Sequence, residues 1–383
     1  MKTSTDRILV TLVGSLPRSQ AVTDVLFGRE RGEPLDEPTA RATIADGVKD
    51  AVRRQVASGV DVVSDGEMSK ISYATYIKDR LTGFAGDTPR EPGQDLVEFP
   101  RILKKLAETG ATAKYQRPRC VAEIRVSDLR PAQTDVDNLQ AAIDAAAPAE
   151  GFLNAASPGV IALFQPNDYY RTQDDYLEAV AEAMRAEYEL IVNAGLLLQI
   201  DAPDLAMGRH TMYRHHTADE FLRSASRHVE VLNHALRNVP ADRVRMHVCW
   251  GNYEGPHHHD VPLEHLLPIV LGARVQGLLI EGANPRHEHE WSVFREQRLP
   301  EDKVLIPGVI SSTTNYIEHP LLVAERLCRY ADGVGRERVL AGTDCGFGTF
   351  AGFGPVDPDV AYLKLKSLSE GAAIASERLW GRH

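Results

Sequence analysis

A chain of 383 residues, 43% apolar and 25% charged, has the makeup of a globular protein, either one barrel with insertions or two medium domains. Its formal net charge of −11 argues against a broad surface for nucleic acid or anionic membrane, because phosphate-binding proteins are usually basic. Four cysteines make no disulfide scaffold, and neither a signal-type apolar run nor a stretch of ~20 apolar residues occurs, which predicts a cytoplasmic protein.

In chain order, short apolar runs alternate with long helical patterns. The predicted strands cover 8–13, 60–64, 152–156, 196–200, 244–249, 277–280, 304–309 and 339–342. Most are rich in Val, Ile or Leu without strict alternation, as expected for parallel strands buried on both faces. Predicted helices lie at 40–58, 172–193, 217–237, 320–330 and 358–376. Thr217 before Ala218-Asp219-Glu220 reads as a capping box, and Asp357 before Pro358 as a capped start. Eight strands, mostly followed by helices, predict a TIM-type (β/α)8 barrel. No G-x-G-x-x-G follows the first run to favour an open doubly wound sheet. The residues beyond the ~250 of a plain barrel fall mainly at about 90–130, between strands two and three, where alternation around 120–126 predicts an inserted hairpin. Residues 1–383 are thus read as a single barrel domain.

The chemistry gathers at strand ends. In Met246-His247-Val248-Cys249-Trp250-Gly251, alternate side chains share a face, so His247 and Cys249 point the same way. The next strand ends in Ile280-Glu281, and a later one in Asp344-Cys345-Gly346. Barrel active sites lie at this C-terminal face. One His, two Cys and a displaceable Glu281 suit Zn²⁺, which deprotonates a coordinating thiol. Cys120 and Cys328 read as ordinary buried thiols.

These residues resemble the catalytic barrel of the cobalamin-independent methionine synthase family and its single-barrel relatives. Besides the three ligand motifs, Gly14-Ser15-Leu16-Pro17-Arg18, Asp65-Gly66-Glu67, Ser157-Pro158-Gly159 and Gln199-Ile200-Asp201-Ala202-Pro203 stand where that family has related motifs, from about residue 8 to 350. The resemblance implies zinc held by His247, Cys249, Glu281 and Cys345. It implies homocysteine bound through its sulfur, with Gly14 and Ser15 on its carboxylate and Glu67 and Asp201 on its ammonium group. The expected reaction is S-methylation to methionine. Arg18, Tyr253 and His257 are further pocket candidates, and Lys70 is a mouth-side cation. The chain departs from the two-barrel enzymes at Ser311-Ser312-Thr313-Thr314-Asn315, where an Asp and a His serve the folate donor; His319 does not replace them. The alternative is another zinc-dependent thiol alkylation, as in epoxyalkane:coenzyme M transferase, with Arg18 or Arg209 holding a sulfonate. Neither the methyl or alkyl donor nor the oligomeric state follows from the residues.

Overall fold

The computed structural model describes residues 1–89, 91–108 and 115–381. Among these the strands, in chain order, are β1 (Val62–Ser64), β2 (Phe84–Ala85), β3 (Arg119–Cys120), β4 (Glu150–Ala156), β5 (Leu197–Asp201), β6 (Val244–Val248), β7 (Gly277–Ile280), β8 (Val304–Ile310) and β9 (Gly342–Thr343). Seven of them form one parallel sheet in the order β1-β4-β5-β6-β7-β8-β9. The predicted first strand, 8–13, closes this sheet into a barrel: Thr11 bridges Val62 and Val10 bridges Ala341, both in parallel.

That closing segment never becomes a regular ladder, and side chains explain why. The amides of Leu9, Val10 and Val13 donate to Ser4 Oγ (3.0 Å), Asp61 Oδ2 (2.9 Å) and Thr343 Oγ1 (3.1 Å). Each such bond replaces one that a neighbouring carbonyl would accept. The last predicted strand shifts likewise: β9 starts at Gly342, although Leu340 N–H still donates to Leu305 O at 3.0 Å.

Helices cover the outside. Those at Gln173–Asn193 and Ala218–Ala235 each begin with a capping box, Thr172 with Asp175 and Thr217 with Glu220. Asp357 caps Pro358–Trp380. Gln20–Glu30 and Glu37–Ala57 precede β1. No helix of the described residues is long and apolar enough to cross a membrane.

The inserted region differs from the predicted hairpin. The antiparallel ladder pairs Phe84 with Cys120 and Ala85 with Arg119, and Leu81 bridges Val126. One arm therefore precedes the inserted stretch, and the arms are joined by a long connection carrying helices Gln94–Val97 and Pro100–Glu108. Arg90 lies outside the described residues.

Burial inside the barrel is uneven. Leu9, Leu279, Ile306 and Leu340 form a small apolar cluster of their own, whereas Leu278, Ile280, Met246 and Val248 belong to the large cluster shared with the helices. On β4, β5 and β6 the residues alternating with the apolar ones are Asn154, Gln199, Asp201, Arg245 and His247, all buried. Arg245 spans the interior to donate to Thr11 Oγ1 (2.8 Å) and Leu12 O (2.6 Å). One side of the barrel is thus polar inside.

A second buried charge network stands outside the sheet. Arg80 contacts Asp135 (2.6 Å) and Glu187 (3.0 Å), and Tyr76 O–H donates to Glu187 at 2.7 Å. Replacing Arg80 by Met leaves two buried carboxylates without their cation, so Arg80→Met is expected to cost about 3–5 kcal/mol. A lowered urea midpoint at unchanged m-value reads that loss, and an unchanged midpoint contradicts it.

Candidate metal centre and active site

Along β6 the inward phase runs Arg245, His247 and then Cys249. The turn after β9 brings Cys345 to the same level. The ligand atoms of His247, Cys249 and Cys345 all lie within 4.8 Å of one another, and all three residues are buried. Asp344 sets the turn: its Oδ1 accepts from Gly282 N–H (2.9 Å) and Ala283 N–H (2.8 Å), which fastens the end of β9 to that of β7.

The His247 ring supplies the test of fit. Neither nitrogen has a hydrogen-bond partner, although Leu279, its register partner on β7, presents a carbonyl nearby without reaching hydrogen-bond geometry. Burial, then the Arg245 charge, pushes the imidazole down to about 3, so it is neutral. A buried neutral imidazole with idle nitrogens beside two thiols has the chemistry of a Zn²⁺ donor set. Contact with Cys345, then burial, pushes the Cys249 thiol well above its ordinary range; a bound cation inverts that balance. Glu281 is outside the three-residue cluster. Its Oε2 accepts from Trp250 N–H at 3.2 Å, and burial followed by the neighbouring Cys249 raises its carboxyl well above the usual range.

The four other predicted substrate residues gather beside this cluster. Asp201 is the register partner of His247 across β5 and β6. Its carboxylate accepts from Asn154 Nδ2 (2.9 and 3.2 Å) and Gln199 Nε2 (3.0 Å). Burial, opposed by those bonds, brings Asp201 up to about 6. Glu67 is buried with Oε2 unpartnered, and burial, partly offset by Lys70, raises it to about 7. Its backbone is left-handed, at φ 57°. Gly14 has φ 146°, and a Cβ there would meet Asn154 Oδ1 at 2.2 Å. Ser15 packs so closely against the turn after Cys345 that a Cβ on Gly346 would fall 1.9 Å from its hydroxyl.

The other pocket candidates separate. Tyr253 lines the cavity, with its hydroxyl donating to Asp95 Oδ2 at 2.6 Å. His257 stacks on the far face of Tyr253, with ring centroids 4.3 Å apart, and pairs with Asp260 at 2.9 Å. Arg18 does not reach out as a ligand: it donates to the carbonyls of Glu67, Lys70 and Gly348 and so fixes the turn that carries Glu67. Lys70 is buried and donates to Asn154 O.

One cavity of about 1770 Å³ contains Ser15, Glu67, Asp201, His247, Cys249 and Cys345 in its lining. Its lining also includes Lys105, Arg117, Arg119 and Arg214 beside Glu91 and Glu254, and Thr313 and Asn315; Arg119 pairs with Asp168, Arg214 with Glu91, and Arg117 donates to the carbonyls of Leu163 and Phe164. Sequence reading missed these charged lining residues and Asn154. Asn154 was findable, because a polar residue at an inward strand position next to the Gln199-Ile200-Asp201 motif has to serve something polar.

Seven parallel strands closed by an eighth segment, with soft donors at their carboxyl ends, define an α/β barrel with a candidate metal centre at its mouth. Whole-chain similarity is to methionine synthases. The chain is 26% identical over 373 residues to a methionine synthase of Saccharolobus solfataricus, covering 96% of this chain and 95% of that protein. It is 24% identical over 371 residues to that of Sulfurisphaera tokodaii, with 96% and 93% covered. The fold is shared with a B12-independent methionine synthase from Shewanella sp. W3-18-1 solved with selenomethionine, at TM-score 0.74, 17% identity and 98% and 99% coverage. A second likeness is to a B12-independent methionine synthase from Listeria monocytogenes described as putative, at TM-score 0.65, 16% identity and 96% and 98% coverage. No family model matches. The resemblance first carried by separate motifs therefore extends along the whole chain.

Proposed function

We propose that this chain is a single-barrel, zinc-dependent enzyme that methylates homocysteine to methionine. The observation that carries the reading is the meeting, in one cavity, of His247, Cys249 and Cys345 with the carboxylates of Glu67 and Asp201. The names of the relatives support it.

His247, Cys249 and Cys345 would hold Zn²⁺; Glu281, outside that cluster with its Oε2 on Trp250 N–H, would turn to join it as a fourth donor that gives way to substrate. When bound, the metal supplies a thiolate at neutral pH. Everything else falls to the chain. Glu67 and Asp201 bind the ammonium group, with Asn154 and Gln199 orienting Asp201. Ser15 and the Gly14 turn take the carboxylate. Together they fix the α-carbon through both of its charged groups, so that with the sulfur on the metal the amino acid has one position and one direction of approach. The surrounding apolar wall excludes water from the nucleophile.

A cavity of about 1770 Å³ exceeds the ~300–1,000 Å³ of an ordinary small-molecule site and leaves room for a larger methyl donor. Neither cation that the coenzyme M alternative would use for a sulfonate points into open space: Arg18 is committed to carbonyls, and Arg209 faces Tyr213 O and Arg214 O at 3.4 and 3.5 Å.

X-ray absorption at the zinc edge tests the reading. Homocysteine is expected to add a sulfur neighbour at ~2.3 Å while coenzyme M does not; addition by coenzyme M alone, or no bound metal, overturns it. A side chain on Gly346 displaces the Ser15 hydroxyl, so Gly346→Ala is expected to lower kcat/KM for homocysteine about 10- to 100-fold, the worth of one hydrogen bond to a charged group. An unchanged value removes Ser15 from the binding role.

A further inference from the structure

We propose that Glu98, His258 and His259 form a second divalent-cation site, separate from the barrel-mouth cluster, whose occupant ties the inserted region to the loop after β6. Glu98 ends the helix Gln94–Val97. His258 and His259 occupy the two central positions of a turn closed by Asp260 N–H donating to His257 O at 3.3 Å. The residue before them, His257, is left-handed at φ 53° and turns its ring onto Asp260. This breaks the alternation that would otherwise send neighbouring side chains to opposite sides. The two following imidazoles therefore project together, with centroids 4.1 Å apart.

Both rings converge on one carboxylate. His258 Nε2 is 2.8 Å from Glu98 Oε2, and His259 Nε2 is 2.7 Å from Glu98 Oε1. Phe99 packs edge-on to His258, at 5.6 Å between centroids, and orients it. All three donor atoms lie within 4.8 Å of one another. Ligands bound at ~2.1 Å to one ion stand about 3.0–3.4 Å apart, so the donors need only small rotations to accept a metal. Two imidazoles and a carboxylate, without a thiol, select a borderline cation such as Zn²⁺, Co²⁺ or Ni²⁺ over Ca²⁺ or Mg²⁺, which prefer oxygen. The residues are partly exposed, with side-chain accessibilities of 37%, 28% and 43% for His258, His259 and Glu98, so the ion would exchange with solvent and keep water ligands.

The same two segments already meet once. Asp95 Oδ2 accepts from Tyr253 O–H (2.6 Å) and His257 N–H (3.2 Å), and Tyr253 lines the cavity. An ion at Glu98 adds a second fastening one helical turn away and holds the inserted region against the mouth.

The test is a Co²⁺ titration of metal-free protein, followed by absorption. The wild-type chain is expected to take two equivalents, one with a near-ultraviolet thiolate-to-cobalt band and one without. Glu98→Gln and His259→Gln are each expected to keep the thiolate band and to weaken the other equivalent by at least about 100-fold, beyond the usual loss on removing a supporting partner. Cys345→Ser should lose the thiolate band and retain the second equivalent, which separates this site from the barrel-mouth one. Backbone amides at 94–98 and 257–260 should exchange more slowly once the second equivalent binds. A single equivalent in the wild type, an unaffected second equivalent in Glu98→Gln, or unaltered exchange overturns the proposal.

Discussion

Cys345→Ser is expected to leave a folded barrel whose mouth no longer holds zinc, with metal at the barrel-mouth site falling from about one equivalent to below a tenth and homocysteine methylation falling at least about 1,000-fold. The reason is that, among the described residues, the site has three soft donors within 4.8 Å, and zinc sites rest on three or four protein ligands. Glu281 does not replace the lost thiolate, because it is already the fourth donor of the proposed set and offers only oxygen. The fold should survive, since Cys345 lies in a turn held independently by Asp344. Metal analysis in a Glu98→Gln background, which removes the second site, with far-ultraviolet circular dichroism checks both halves. A variant that keeps stoichiometric zinc removes Cys345 from the ligand set, and Cys249→Ser is expected to behave alike.

The second large effect belongs to the proposed ammonium pocket. Removing the charge of one partner in a buried, hydrogen-bonded pair costs about 2–5 kcal/mol, roughly 30- to 5,000-fold in affinity. Asp201→Asn and Glu67→Gln are each expected to raise the homocysteine dissociation constant within that range while leaving zinc content intact. Native affinity in either variant sinks the role. The same carboxylates give a pH signature. Burial raises Asp201 to about 6 and Glu67 to about 7, against about 4 for the unfolded groups. Between about pH 4 and 7 the ligand-free folded state holds more protons than the unfolded one, so these groups make stability fall as pH rises through that window. An ammonium ion needs them ionised, so thiol affinity should rise from pH 5.5 to 7.5. Calorimetry in buffers of different ionisation heat should show proton release on binding, and affinity independent of pH contradicts the assignment.

How much of this was legible differs by element. The β6 pattern Val244-Arg245-Met246-His247-Val248-Cys249 shows directly which face holds the chemistry, because strand alternation is local. The interior strands were placed to within a residue or two for the same reason. The closing segment 8–13 was found as a strand yet pairs only by isolated bridges, because Ser4, Asp61 and Thr343 intercept its amides. Those side chains are hidden in loops and other strands. The inserted ladder was misplaced because its first arm, at 81–85, is short and carries no pattern of its own. Asp95 was missed altogether: its partner Tyr253 is 158 residues away, and no rule of spacing joins them. Cavity size and the charged lining likewise arise only when separate loops meet.

The left-handed backbone of Glu67 carries a last consequence. A side chain in that conformation costs about 1–3 kcal/mol and persists only where surroundings impose it, and Glu67 adds a buried carboxylate with an unpartnered oxygen. Glycine would relieve both at once. Selection for stability alone would therefore erode this position, and a glutamate there fits a site where durability is given up for the proposed binding role. A library sorted only for thermal resistance should accumulate Glu67→Gly and lose turnover in the same clones.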